Sequence, residues 1–166
     1  MPESALIRAA VFEDAAALLA LQMDAISAIG ESHYTAVQRQ AWCGDRTPEH
    51  YLAPIATRLM RVAQADNGAG ADPGSPLLGF AQLDLSTGFV EAIYVRPAVQ
   101  RSGIGRQLLQ ALESSASGAG AQVLWLDASL NAVPFYERQG FEALSEHEHP
   151  VGAQLTIPCV RMRKRL

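Results

Sequence analysis

The sequence contains little lysine, little cysteine and no long hydrophobic run. Lys164 is the only lysine, and acidic residues outnumber basic residues by 17 to 13, so the formal net charge is −4. Because this balance provides no basic footprint, we expect no nucleic-acid partner. No apolar stretch approaches the ~20 residues that cross a bilayer, so we expect no membrane partner either.

The cysteine content and the N-terminal composition indicate the compartment. Cys43 and Cys159 are far apart and form no CxxC pair, which is typical of reduced thiols. The N-terminal stretch MPESALIRAAVFEDAAALLA has no basic segment followed by a continuous apolar block. We therefore expect no signal peptide and a cytoplasmic location.

The composition that remains is that of a folded domain. The chain has 166 residues, of which 49% are apolar and 18% charged, so we expect one domain over residues 1–166. Hydrophobic periodicity predicts a mixed α/β fold of about seven strands in one sheet with helices on both faces. The predicted order is a strand (5–11), helices (13–29, 35–42 and a short one from Thr47), strands (58–64, 77–86, 88–95), a helix (103–117), a strand (123–128), a helix (132–139) and strands (141–147, 154–163). The Gly- and Pro-rich segment 64–76 is expected to be a flexible hairpin loop.

A glycine-containing turn before the helix at 103–117 is the most informative segment. The first turn of a helix offers free N–H groups and a positive dipole end, which suit a phosphate. Gly103 and Gly105 let the main chain approach phosphate oxygens, and Arg101 and Arg106 add cationic donors. A GxG pattern alone is equally compatible with a purely structural turn. The dinucleotide fingerprint GxGxxG fails at Leu108, and no GK[ST] sequence is present.

The wider pattern around this turn resembles motif A of the GNAT family of N-acetyltransferases. That motif is written [R/Q]xxGx[G/A], and Gln100, Gly103 and Gly105 stand at its three positions. The N-terminal IRAAVFEDAAALLAL also resembles the family's first strand and helix. A downstream segment resembles motif B, with residues Asn131, Phe135, Tyr136, Gly140 and Phe141.

The resemblance implies a fold that is splayed between strands 4 and 5, with acetyl-CoA lying in the gap and no metal. The pantetheine arm is expected along Ile93, Tyr94 and Val95, whose main chain also polarises the thioester carbonyl. Asn131 and Phe135 are expected to contact the cofactor, although Asn131 could instead be a helix N-cap. The pyrophosphate is expected at Gln100, Arg101, Ser102, Gly103, Ile104, Gly105 and Arg106.

The implied reaction moves an acetyl group to an amine of a small molecule or peptide by direct attack in a ternary complex. Tyr136 is the candidate acid for the departing thiolate; the alternative is a buried aromatic whose hydroxyl binds a main-chain carbonyl. Glu91 is the candidate base, directly or through water, and the alternative is a solvated charge at a strand end. Strand alternation places Glu91 on the same face as Ile93 and Val95. A different class of function is a non-catalytic acyl-CoA-binding module on the same fold.

The acceptor site and the remaining polar clusters are less sharply defined. Glu31, His33 and Tyr34 are the candidate acceptor-binding residues, since His33 and Tyr34 precede the second helix and should face a cleft, while Trp42 is assigned to the core. The EHEH segment 146–149 is interpreted as a solvated strand edge rather than a metal site, because it has no third ligand at clear spacing. Neither cysteine has a paired histidine signature. If the chain forms a homodimer, as many relatives do, the last strands are the expected interface.

Overall fold

The computed structural model describes residues 5–66, 68 and 74–166. The strands are β1 Ala5–Ala9, β2 Leu59–Ala65, β3 Leu77–Asp84, β4 Phe89–Val95, β5 Val123–Ser129, β6 Glu142–Val151 and β7 Leu155–Arg165. The helices are α1 Ala15–Ser27, α2 Ala36–Cys43, α3 Leu52–Thr57, α4 Ile104–Gly118 and α5 Val133–Arg138, with 3₁₀ turns at Phe12–Asp14, Pro48–Tyr51 and Pro97–Val99. The predicted order of elements is confirmed.

The seven strands form one sheet in the order β1-β2-β3-β4-β5-β7-β6. All neighbours are antiparallel except β4 and β5, which run parallel. Their pairing is limited to Phe89 with Trp125 and Val90 with Leu126, so the two strands separate beyond these positions. The predicted splay between the fourth and fifth strands is therefore confirmed.

Helices cover both faces of the sheet, as predicted. On the back face, Leu108, Leu109 and Leu112 of α4 are buried in the main core, which α5 also joins. On the front face, Leu18 and Leu21 of α1 are buried in a second core against β2 and β3. The helix α2 lies on the same front face, over β6 and β7. Among the described residues, no helix is long and apolar enough to cross a membrane.

A buried ion pair joins β1 to the start of α1. The guanidinium of Arg8 donates to both carboxylate oxygens of Asp14 at 2.8 Å, and the main-chain N–H of Val11 donates to the same carboxylate at 2.9 Å. Burial alone would raise the pKa of Asp14, but these donors outweigh it and lower the pKa. Asp14 therefore forms a tertiary link between β1 and the start of α1.

Strand β6 is longer than predicted, whereas the hairpin of β2 and β3 forms as predicted. The strand β6 continues past Pro150 to Val151, which is possible because β6 is the edge strand and its outer side needs no N–H donor. The strands β2 and β3 form the predicted hairpin, with Ala65 N–H donating to the carbonyl of Pro76 at 3.1 Å. The expectation of flexibility falls largely on residues 67 and 69–73, which lie outside the described residues.

Candidate functional site

The loop that leads into α4 ends in a row of main-chain N–H groups without partners. Gly103 is the N-cap of α4 and adopts a φ of +92°, a left-handed conformation that favours glycine. The first helical hydrogen bond runs from the Gln107 N–H to the Gly103 carbonyl at 3.0 Å. Within the described part of the chain, the N–H groups of Gly103, Ile104, Gly105 and Arg106 therefore have no acceptor. Four free donors at the positive end of a 15-residue helix fit a phosphate group.

The side chains of the same loop leave its positive charge available. Arg101 and Arg106 are exposed, and neither forms an ion pair with any described residue. Arg101 also adopts a φ of +66°, an unusual conformation for a residue with a side chain. The Ser102 hydroxyl donates to the carbonyl of Val99 at 2.6 Å, so it stabilises the loop itself. Gln100 is exposed next to them.

Gly105 lies where three elements meet behind this loop. A Cβ atom at this position would be 3.4 Å from the Phe135 ring of α5 and 3.5 Å from the Val95 side chain of β4. These are ordinary van der Waals distances, so α4 packs directly against both neighbours at this position. Phe135 forms part of the wall that joins the loop to the gap in the sheet.

The main chain of β4 lines that gap. Beyond Val90 it has no pairing with β5, so the edge of residues 91–95 is open on that side. Ile93 and Val95 pack with the back-face core, whereas Tyr94 packs with the front-face core. An extended ligand lying in the gap would meet unpaired main-chain groups, as an added strand does.

Tyr136 of α5 reaches this region from the back face. Its ring is buried against Phe135 and Phe141, with centroid separations of 5.1 Å and 5.6 Å. Its hydroxyl makes no hydrogen bond to any described residue, so the bond to a main-chain carbonyl that we weighed as the alternative is not formed. Burial, with a smaller contribution from Tyr94, raises the pKa of Tyr136, which keeps its proton in place at neutral pH.

Asn131, for which the N-cap of α5 was the alternative role, does not cap that helix. The N-cap is Ala132, and the exposed Asn131 lies one residue earlier with no capping hydrogen bond. The motif spacing misleads here because the turn after β5 is closed by the Ala132 N–H bonding to the Ser129 carbonyl at 2.9 Å. The amide of Asn131 thus has no hydrogen-bond partner among the residues described.

The predicted face of Glu91 is wrong, because β4 carries a bulge at this residue. Leu83 of β3 pairs with Val90, and Gln82 pairs with Ala92, which leaves Glu91 as the extra residue. The carboxylate accepts hydrogen bonds from Gln82 Nε2 at 2.5 Å and from Arg58 Nε at 3.1 Å. These contacts place it on the front face, away from the side chains of Ile93 and Val95. Simple alternation could not reveal the bulge.

The structure separates the three candidate acceptor residues. Glu31 and His33 are exposed in the loop between α1 and α2. Tyr34 is only 1% exposed, and its hydroxyl donates to the Pro158 carbonyl at 2.7 Å and accepts from the Leu130 N–H at 2.8 Å. Tyr34 therefore cannot face a cleft as expected; its hydroxyl links strand β7 to the turn after β5. Trp42 packs edge-on against it at 5.6 Å, in keeping with its assignment to the core.

A group of front-face side chains around Tyr94 was not identified from the sequence as a unit. Burial raises the pKa of Tyr94, while the nearby Arg46 and the indole of Trp42 act in the opposite direction. The Tyr51 hydroxyl belongs to the same group and donates to Gln22 in a short hydrogen bond. These residues come from separate segments, so their spacing carries no signal. Together they form a polar patch on the front face, to which α1, α2, the segment after α2 and β4 each contribute.

A second unpredicted cluster lies on the front face of β5, β6 and β7. His147 is in contact with both Cys159 and Asp127, a spatial cluster that the sequence, which carries no paired histidine signature, does not indicate. The partners lie on three different strands, which the local EHEH pattern cannot show. His147 is consequently half-buried rather than part of a fully solvated edge.

Comparison with known proteins agrees with this architecture. Residues 31–166 match the family described as the acetyltransferase (GNAT) domain. An uncharacterized N-acetyltransferase of Bacillus subtilis, YjcF, is 39% identical over 77 residues. That match covers 46% of this chain and 53% of the relative, so the chain spans about half the length of this curated relative.

Two solved structures show the same fold over nearly the whole chain. A GCN5-related N-acetyltransferase from Rhodopseudomonas palustris is 26% identical with a TM-score of 0.87, covering 100% of this chain and 99% of that one. PaiA N-acetyltransferase from Thermoplasma acidophilum, solved with coenzyme A, is 20% identical with a TM-score of 0.76, covering 98% and 99%. Since the family match extends over well more than half of the sequence, this chain belongs to the GNAT family of acetyltransferases.

Proposed function

We propose that this protein transfers an acetyl group from acetyl-CoA to an amine of a small molecule or peptide, by direct attack in a ternary complex. The observation that carries the proposal is the row of free N–H groups at the start of α4, beside the open edge of β4. The coenzyme A bound to the Thermoplasma relative of the same fold supports the same donor class. We assign this activity to one domain over residues 1–166 and to the cytoplasm.

The proposed donor site runs from the α4 turn into the gap. The N–H groups of Gly103 to Arg106 would hold the pyrophosphate, with the exposed Arg101 and Arg106 neutralising its charge and Gln100 and Ser102 shaping the approach. The open main chain of Ile93, Tyr94 and Val95 would bind the pantetheine arm, with Phe135 and Asn131 on the opposite side. Acetyl-CoA supplies the activated acyl group, and main-chain N–H groups of β4 polarise its carbonyl.

Two side chains are proposed to handle the protons. Tyr136 keeps its proton at neutral pH, and its hydroxyl bonds to none of the residues that the structure describes, so it can donate to the departing sulfur. Glu91 lies on the front face with Arg58 and Gln82. A carboxylate has about four lone-pair positions, so Glu91 can accept a further hydrogen bond from a water molecule. That water would take the proton from the amine.

The acceptor is proposed to approach over the front face, between the α1–α2 loop and β4. Glu31 and His33 are exposed at the edge of this region and are the two predicted acceptor-binding residues that a ligand can reach. The patch around Tyr94 lies deeper, where Arg46 acts on the hydroxyls of Tyr94 and Tyr51. These polar groups would orient the amine toward the open edge of β4.

The proposal is tested by calorimetric titration with acetyl-CoA, followed by measurement of CoA release with a panel of amines. We expect binding in the wild type, and binding at least about tenfold weaker in Gly103→Asp, a loss of about 1.4 kcal/mol, because a carboxylate there repels the pyrophosphate. Gly120→Asp, beyond the other end of α4, has a similar positive φ of +87° and open space around it; it is the matched control and should bind normally.

The two halves of this experiment separate the competing functions. Acetyl-CoA binding without CoA release for any amine would instead identify a non-catalytic acyl-CoA-binding module. Failure of the wild type to bind acetyl-CoA, or equal affinity in Gly103→Asp, would overturn the donor site.

A further inference from the structure

Three potential metal ligands from three strands converge on one point of the front face. Asp127 lies in β5, His147 in β6 and Cys159 in β7, and the strand register pairs His147 with Cys159. The His147 Nε2 atom is 3.3 Å from Cys159 Sγ and 3.3 Å from Asp127 Oδ2. All three donor atoms lie within 4.8 Å of one another.

This arrangement is not that of a nucleophilic triad. In such a triad one imidazole nitrogen faces the nucleophile and the other faces the carboxylate. Here the same nitrogen faces both the thiol and the carboxylate. Convergence on one point is instead what a cation requires.

The two distances from His147 Nε2, to Cys159 Sγ and to Asp127 Oδ2, fit the spacing of ligands around a tetrahedral zinc ion. Zinc bonds of about 2.0–2.2 Å to nitrogen or oxygen and about 2.3 Å to sulfur give ligand-to-ligand edges of roughly 3.4 Å for N···O and roughly 3.6 Å for N···S. Both measured separations, 3.3 Å and 3.3 Å, lie within a few tenths of an ångström of those edges. A thiolate, an imidazole and a carboxylate are together a donor set typical of zinc.

Arg161 binds both oxygens of the Asp127 carboxylate. Its Nε donates to Asp127 Oδ1 at 2.5 Å and its second terminal nitrogen donates to Oδ2 at 3.1 Å. Such an outer contact fixes the orientation of a ligating carboxylate. Cys159 is buried, while the side chain of His147 remains 33% exposed, so an ion can enter past the imidazole.

We propose that Asp127, His147 and Cys159 form a zinc site that joins β5, β6 and β7 and keeps a fourth position open to water. When zinc binds, the S–H bond of Cys159 breaks, a Zn–S bond forms and the proton passes to solvent, with no change in oxidation state. This site is separate from the α4 turn and does not depend on the acetyl-transfer proposal.

The test uses Co²⁺ as a spectroscopic probe on the reduced, metal-free, untagged full chain. We expect one equivalent of Co²⁺ to give the visible bands of a tetrahedral ion and a thiolate-to-cobalt charge-transfer band, both abolished by excess Zn²⁺. Cys159→Ser should remove the charge-transfer band. His147→Ala and Asp127→Asn should each weaken Co²⁺ binding at least about tenfold while retaining that band at saturation.

The chain supplies matched controls for both ligand types. Cys43→Ser changes the other cysteine, and His149→Ala changes the exposed histidine two residues from His147; neither should alter the spectrum or the affinity. Absence of a tetrahedral, thiolate-bound spectrum in the wild type would overturn the site without reference to any variant. An equal loss of binding in either control would overturn the ligand assignment, and circular dichroism verifies that each variant is folded.

Discussion

The hydroxyl of Tyr34 makes two hydrogen bonds, whereas that of Tyr136 makes none among the described residues. Tyr34 bridges the Pro158 carbonyl, which lies within β7, and the Leu130 N–H, which follows β5. Tyr136 is packed by aromatic rings, and its polar atom is left for a ligand. Replacing tyrosine by phenylalanine should therefore reduce stability at position 34 and turnover at position 136.

At Tyr34, we expect the change to phenylalanine to reduce stability. The variant leaves a partly buried carbonyl and a partly buried N–H without their partner, which costs roughly 1–3 kcal/mol. Urea denaturation followed by circular dichroism measures this loss. A free energy of unfolding equal to that of the wild type would show that water replaces the hydroxyl at no cost.

At Tyr136, the same change should instead reduce turnover. We expect kcat to fall roughly 100-fold or more, because the departing sulfur loses its proton donor. The affinity for acetyl-CoA and the free energy of unfolding should stay close to the wild-type values, since the ring packing is retained. Steady-state kinetics and calorimetry on one preparation test this, and an unchanged kcat with rate-limiting chemistry would remove Tyr136 from the mechanism.

Single residues were predictable from the sequence where a local pattern determines their surroundings. Gly103 is such a case, because a turn between a strand and a helix constrains its neighbours within a few positions. The surroundings of His147 were not predictable, since its partners Asp127 and Cys159 lie on other strands and depend on the sheet register. The burial of Tyr34 likewise results from contacts with β7 and with the turn after β5, both of which are distant from it in sequence.

Between elements, the pair of Arg8 and Asp14 provides a link whose strength depends on pH. The pKa of Asp14 is lowered in the folded state, so its contribution is complete above the ordinary carboxyl range near ~4 and is lost as the pH falls through the lower folded pKa. A link between β1 and α1 that acts in this way contributes to acid denaturation of the front face.

Asp14→Asn should therefore destabilise the protein at neutral pH. We expect a loss of roughly 1–3 kcal/mol at pH 7, because Arg8 loses its charged partner. The difference from the wild type should shrink below about pH 4, where the wild-type carboxylate begins to be protonated. Urea denaturation of both proteins at several pH values measures it, and a difference independent of pH would contradict the assigned ion pair.

Element boundaries were predictable where composition changes sharply, and less so where the sheet context decides. The start of α4 was predicted within one residue, at 103 against Ile104. The length of β6 was underestimated because Pro150 usually ends a strand, but an edge position tolerates it. The bulge at Glu91 depends on the register between β3 and β4, which no single-strand pattern contains.

Considered as a whole, the sheet has two parts that are joined weakly. Strands β1 to β4 form one part, strands β5 to β7 form the other, and Phe89–Trp125 and Val90–Leu126 are the paired positions between them. A ligand in the gap would replace the missing strand contacts beyond Val90. Ligand binding should therefore slow amide hydrogen exchange at the edges of the gap more than in the rest of either part of the sheet.

Hydrogen exchange with and without CoA tests this expectation. We expect slower exchange within residues 91–95 and at residues 103–106, with little change along β6 and β7, because the unpaired amides next to the proposed ligand lie in these two segments. Pantetheine, which lacks the pyrophosphate, should protect the strand edge but not the α4 turn. At a CoA concentration of about 100 Kd, binding adds roughly 2.7 kcal/mol to the free energy of unfolding. Protection spread evenly over the molecule, or confined to β6 and β7, would show that the ligand does not lie in the gap.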